Sequence, residues 1–209
     1  MRDPVAMGGP VEDVTGSAGW LTEVERERAA RFVRDADRRS FVAAHLLVRH
    51  CAAAYLDLPP EKVTLLQHCE IHGAGHGKPY LEHAPELGVS LSHTRGYVCA
   101  AVGHGRVGVD AEQVSPGPAD EGLAGQALTD GERALVTGNA DLIRIWARKE
   151  ALIKRGELTL DRLREVDLSG LSARERQEWQ GRHLLEWTAP GPVLVTVITD
   201  RPATRVSIK

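Results

Sequence analysis

The apolar positions of this chain change period along its length, and the changes mark its elements. Phe41, Val42, His45, Leu46, Arg49 and Ala53 recur at three-and-four spacing, which predicts a long helix over 38–56 with one buried stripe. Pro59-Pro60 ends it. Thr22 caps a shorter, charged helix over 23–33. Residues 63–66 read as a strand. From Gly88 the segments become short and rich in β-branched residues, and 89–92, 97–102 and 106–110 predict three consecutive strands of an antiparallel meander. A Pro/Gly-rich connection with some helical potential covers 115–125. Thr129 and Glu132 stand at capping-box spacing for a small helix to residue 136. The best-defined helix covers 141–154, and 184–187, 193–198 and 205–208 alternate as strands. No repeat is evident, yet both halves run helix first and strands later. That order predicts an α+β fold of two pseudo-symmetric lobes, each a long helix on a small antiparallel sheet. The lobes are 20–108 and 109–209, behind a flexible lead-in over 1–19, with the Asp110 strand at the seam.

Composition narrows the class. The chain has 209 residues, of which 42% are hydrophobic and 26% charged, enough for a real core. Aromatics are 4%, so that core rests on Leu, Val, Ile and Ala. The net charge of −3 argues against a nucleic-acid partner, and an anionic ligand must be met by a local basic cluster. Cys51, Cys69 and Cys99 are odd in number and widely spaced, which fits a reducing, cytoplasmic setting. No apolar run follows Met1 as a signal would require, and none approaches the ~18–20 residues of a membrane span.

Four short segments carry candidate chemistry. On the 141–154 helix, Lys149 interrupts an apolar face made by Leu142, Ile145, Trp146, Leu152 and Ile153. A lysine so placed needs an anion, although one snorkelling from the core edge is the plainer reading. Glu150 and Lys154 lie one turn apart on an adjoining face. Asp110 and Glu112 share one face of a strand, where two carboxylates repel unless a cation joins them. A hard divalent ion with phosphate completing its shell is the natural answer, and two solvated carboxylates the bland one. Ser92-His93 ends a strand and Lys78 sits in a glycine-rich turn; both suit phosphate, and both residue types are also common as plain structure. Three other patterns lack their context. Gly103 to Gly108 spells G-x-G-x-x-G but precedes a strand. Residues 73–79 have a misplaced first glycine and Pro79 where a P-loop needs Ser or Thr. His68, Cys69, His72 and His76 are broken up by Gly73 and Gly75, against a zinc site.

Taken in order, Gly77-Lys78-Pro79, Ser90-Leu91-Ser92-His93, Gly108-Val109-Asp110-Ala111-Glu112 and Trp146-Ala147-Arg148-Lys149-Glu150-Ala151-Leu152-Ile153-Lys154 resemble the motifs of the 4′-phosphopantetheinyl transferases of the surfactin-synthetase-activating type. The resemblance covers 78–154. It implies a monomeric enzyme that moves phosphopantetheine from coenzyme A to a serine of an acyl or peptidyl carrier protein, releasing 3′,5′-ADP, as in polyketide or nonribosomal peptide biosynthesis. It implies magnesium on Asp110, Glu112 and Glu150, and coenzyme A phosphates on Lys154, Lys149 and His93. Lys78 and Ser92 would meet the nucleotide end with its 3′-phosphate, as would Arg28. Glu150, or else Glu132, would take the serine proton, and Lys154 would stabilise the phosphoryl charge. Ser40 stands where the family often has an arginine, with Arg38 and Arg39 beside it as substitutes, and the loop after Lys154 is shortened. Two other readings share these residues: a magnesium-dependent pyrophosphohydrolase acting on coenzyme A or a nucleotide, and a non-catalytic carrier-binding scaffold.

Overall fold

The computed structural model describes residues 2–71 and 73–208. In chain order the elements are β1 (Val5–Pro10), α1 (Glu23–Ala30), α2 (Asp35–Leu56), β2 (Leu65–Cys69), β3 (Gly73–Leu81), β4 (Leu87–Thr94), β5 (Tyr97–His104), β6 (Val107–Gln113), α3 (Glu121–Ala127), α4 (Asp130–Arg133), α5 (Asn139–Arg155), β7 (Arg176–Trp179), β8 (Arg182–Ala189), β9 (Val193–Thr199) and β10 (Thr204–Arg205). The fold is α+β. One sheet has the order β10-β1-β5-β4, a second has β6-β9-β8-β7, and β2 and β3 form a separate ribbon. Only the β1–β10 pairing among these described strands is parallel.

The layers follow from side-chain alternation. In β5, Val98, Ala100 and Val102 point to α2 and pack with Ala44, Leu47, Val48 and Cys51, while Cys99 and Ala101 face the other way. In β9, Val195 and Val197 face Cys99 and Ala101 across the middle of the molecule, and Ile198 packs under α5 with Leu142 and Leu152. The order is therefore helix, sheet, sheet, helix, with each long helix covering its own sheet. Burial on both faces explains why β5 and β9 read as nearly continuous apolar runs.

Several expectations need correction. The 106–110 strand is not the third strand of a meander. After Gly105, at φ +82°, the chain leaves the first sheet, and β6 pairs antiparallel with β9. It still runs past β4, but the link is a side chain: Val109 N–H donates to Ser90 Oγ at 3.0 Å. The lead-in is not free, since β1 lies between β10 and β5. Its Gly8-Gly9-Pro10 sequence hides the strand, and the contacts explain the glycines. A Cβ on Gly8 would meet Tyr97 Oη at 2.9 Å, and one on Gly9 would meet Ile208 Cδ1 at 2.6 Å. Lys78 sits on β3 rather than in a turn. At the tail only Thr204 and Arg205 join a ladder, and β7 had no alternation to announce it. His72, of the histidine cluster, lies outside the described residues.

Candidate active site

The site grows from the contact between β6 and α5. Alternation sends Val107, Val109 and Ala111 into the core between the sheets, and Gly108, Asp110 and Glu112 toward α5. A Cβ at position 108 would lie 1.9 Å from the Ala151 carbonyl oxygen, so glycine is what lets helix and strand backbones touch. That approach brings the acids of β6 to the residues of α5. Lys154 Nζ donates to Asp110 Oδ1 at 2.7 Å and to Ser92 Oγ at 2.8 Å, and Ser92 Oγ donates to Asp110 Oδ1 at 2.9 Å. Trp146 Nε1 donates to Glu112 Oε1 at 2.9 Å.

Asp110 is 4% exposed, and its Oδ2 is buried without a hydrogen-bond partner. Burial and the Asp110 charge raise the carboxyl pKa of Glu112, and the same two causes raise that of Glu150. The three carboxylates thus share one electrostatic field, with Lys154 as the cation beside them. Among the described residues no three of His, Cys, Asp or Glu are gathered closely enough, as the side chains stand, to hold a metal ion. The donor set nonetheless fits a hard cation: it is all oxygen, it carries excess negative charge, and one buried oxygen is orphaned.

Beside this seam lies a cleft of about 610 Å³, in the range of small-molecule sites. Arg28 of α1, Lys78 of β3, Ser92 and His93 of β4 and Lys154 of α5 line it. Lys154 is answered by Asp110, but Arg28, Lys78 and His93 form no ion pair with an acid among the described residues. Burial, then Arg106 and Arg155, lower the pKa of Lys78; burial, then Lys154, lowers that of His93. An anion in the cleft would relieve both.

Three predicted site residues do not join it. Lys149 is fully buried, and its Nζ donates to Glu132 Oε2 at 2.7 Å and to the carbonyls of Ala127, Leu163 and Val166 at 2.8, 2.8 and 3.0 Å. Such a lysine has no proton left for a phosphate. Glu132 is fully buried too, and accepts from Thr129 N at 2.8 Å and Leu168 N at 2.8 Å besides Lys149. It caps α4 and faces no reacting group, which removes it as a base. Arg39 pairs with Asp35, shared with Arg38, and lines a different, mainly apolar cavity. No substitute arginine for Ser40 therefore comes into the cleft from positions 38 or 39. Sequence reasoning missed Phe41, His45 and Gln67, which do line it. Phe41 and His45 fit the buried stripe of α2, and a one-turn aromatic pair facing a cleft leaves the same spacing.

A family model described as the N-terminal part of 4′-phosphopantetheinyl transferase matches residues 11–104, and one for the 4′-phosphopantetheinyl transferase superfamily matches 106–190. Among curated proteins, the chain is 29% identical over 136 residues to 4′-phosphopantetheinyl transferase psf-1 of Bacillus pumilus, covering 62% of this chain and 55% of that one. It is 26% identical over 138 residues to a 4′-phosphopantetheinyl transferase of Bacillus subtilis, covering 63% and 58%. The chain thus spans little more than half the length of these relatives.

Proposed function

The chain belongs to the 4′-phosphopantetheinyl transferase superfamily, and on that footing we propose that it moves the 4′-phosphopantetheine of coenzyme A onto a serine of an apo acyl or peptidyl carrier protein, releasing 3′,5′-ADP. The observation that carries this reading is the meeting of Arg28, Lys78, Ser92, His93 and Lys154 on one cleft, with Asp110 held directly behind Ser92 and Lys154.

In this reading the diphosphate lies against Lys154, Ser92 and His93, and the nucleotide end against Lys78 and Arg28. The carrier serine attacks the β-phosphorus, a P–O bond forms, and the bond to 3′,5′-ADP breaks. Such a transfer rests on positioning and charge neutralisation more than on covalent help. Lys154 follows the charge as it gathers on the phosphoryl oxygens. Asp110 and Ser92 fix that ammonium between them. Asp110, Glu112 and Glu150 are the residues that would hold magnesium, which when bound supplies the remaining neutralisation of the diphosphate. Glu150, one turn before Lys154, receives the serine proton directly or through a water. The protein works as a cytoplasmic monomer with no nucleic-acid or membrane partner; among the described residues no helix is long and apolar enough to cross a membrane.

The test is mass spectrometry of several apo-carriers incubated with coenzyme A, with and without chelator, comparing wild type and Asp110→Ala. A phosphopantetheine adduct that needs metal and Asp110 is expected. Release of 3′,5′-ADP without any carrier would identify a pyrophosphohydrolase instead, and absence of adduct on every carrier would leave a scaffold.

A further inference from the structure

Arg28 reaches the cleft already held by three neighbours from three other elements. Its Nη1 donates to Gln67 Oε1 of β2 at 2.9 Å and to the Gly75 carbonyl of β3. Its guanidinium carbon lies 5.2 Å from the centroid of the Phe41 ring on α2. That ring is backed in turn by His45, with centroids 4.0 Å apart. Gly75 stands at φ +82°, and a Cβ there would come within 3.0 Å of Arg28 Cδ, so the ribbon can lie on the arginine only as glycine. All three neighbours are neutral. They orient the guanidinium without neutralising it, and Nε and Nη2 remain for a ligand.

A long arginine side chain ordinarily loses rotamer freedom when it binds an anion; one ordered beforehand does not. The cleft has two walls. One carries Lys154 and Ser92 beside the acids and suits a diphosphate at the reacting end. The other, built from α1 and the β2–β3 ribbon, carries the clamped Arg28 and Lys78. The anion left for that wall is a separate phosphate on the nucleotide.

We propose that Gln67, Phe41 and the Gly75 carbonyl are positioning groups for Arg28, and that this clamp sets how strongly the protein prefers a nucleotide bearing an additional phosphate monoester over the same nucleotide without it. The inference rests on the coenzyme A reading of the cleft. None of the three touches reacting atoms. Their effect appears in the selectivity between two ligands, which a loss of general stability leaves unchanged.

Isothermal titration of the full chain with 3′,5′-ADP and with 5′-AMP tests it. Wild type is expected to bind 3′,5′-ADP at least about tenfold more tightly, as a charge-assisted bidentate contact allows. Gln67→Ala and Phe41→Leu should each shrink that ratio about fivefold, by weakening 3′,5′-ADP more than 5′-AMP. Phe41→Tyr, which keeps the ring under the guanidinium, should restore it. Parallel weakening of both ligands, with the ratio intact, would overturn the clamp, as would a wild type indifferent to the extra phosphate. If the ratio behaves as stated and no carrier is modified, the transferase reading fails and the clamp stands.

Discussion

Lys149 Nζ sits 2.7 Å from Glu132 Oε2 with both side chains sealed from water, and the first lobe holds the same device in Arg49 and Glu25, 2.6 Å apart. In each lobe the glutamate closes a capping box with a threonine three residues before it, Thr22 or Thr129, and a buried leucine precedes that threonine. The cation comes from the lobe's long helix. Leu-Thr-x-x-Glu, at 21–25 and 128–132, is the trace of pseudo-symmetry that survives in the sequence.

Breaking this pair tests whether Lys149 holds the second lobe together or binds ligand. Lys149→Met leaves a buried carboxylate and three carbonyls without their donor. A loss of about 3–5 kcal/mol in denaturant unfolding is expected, a large share of the ~5–15 kcal/mol typical of a folded domain. Coenzyme A affinity of the folded protein should stay within about twofold. The double variant Glu132→Leu/Lys149→Met should recover much of the loss, since no uncompensated charge remains.

Lys154 should behave in the opposite way. Its side chain is 29% exposed and lines the cleft with its partner Ser92, while its other partner, Asp110, lies buried behind them. Lys154→Met is expected to cost carrier modification about 10²–10³-fold, the scale of one lost oxyanion donor. The loss of stability should be smaller than for Lys149→Met, because Asp110 keeps its Ser92 hydrogen bond and stands beside a cleft that admits water. A steep fall in stability with modest loss of turnover would contradict the assignment.

Gly108→Ala probes the contact that assembles the site. A methyl group placed 1.9 Å from the Ala151 carbonyl forces α5 off β6. Overpacking of this kind costs about 1–3 kcal/mol or more. Because the shift also parts Lys154 from Asp110, activity should drop more than stability alone explains. Kinetics well below the melting transition separate the two.

Magnesium should stabilise the protein through the acids of β6 and α5. Millimolar magnesium without coenzyme A is expected to raise the melting temperature of wild type by about 2–5 °C, through preferential binding to the native state. Asp110→Asn should abolish the rise. An equal rise in that variant would place the metal elsewhere.

Acid stability should report on Glu157 and its arginines. Burial alone would raise this carboxyl, but hydrogen bonds from Arg155 and Arg182 outweigh it and bring the pKa from the ordinary 4.5 to about 2. A depressed carboxylate contributes stability above its unfolded pKa and loses it as the pH falls toward the folded value. Glu157→Gln should therefore melt about 3–6 °C below wild type at neutral pH, and the gap should close between about pH 4.5 and 2. Thermal melts across that range provide the check.

Local signals were legible wherever one element contained them. The long helices, expected at 38–56 and 141–154, extend over Asp35–Leu56 and Asn139–Arg155. Both capping boxes follow from a threonine and a glutamate three apart. What spacing could not reveal was which partner an element would choose. Strand β6 carries the same alternation whether it pairs with β5 or β9, and β1 hides behind two glycines whose reason lies in Tyr97 and Ile208.

The sequence by itself determined the α+β order of elements and the motif set that includes Lys78, Ser92, His93, Asp110, Glu112 and Lys154. Only the tertiary structure decided which charges turn to the cleft. Lys149 and Lys154 are five residues apart on one helix, about 140° around its axis at 3.6 residues per turn. The sheet beneath α5 fixes its rotation, so one lysine is driven into the interior onto Glu132 and the other onto Asp110 beside the cleft. Periodicity ranks residues by face, but only packing against a neighbour says where each face points.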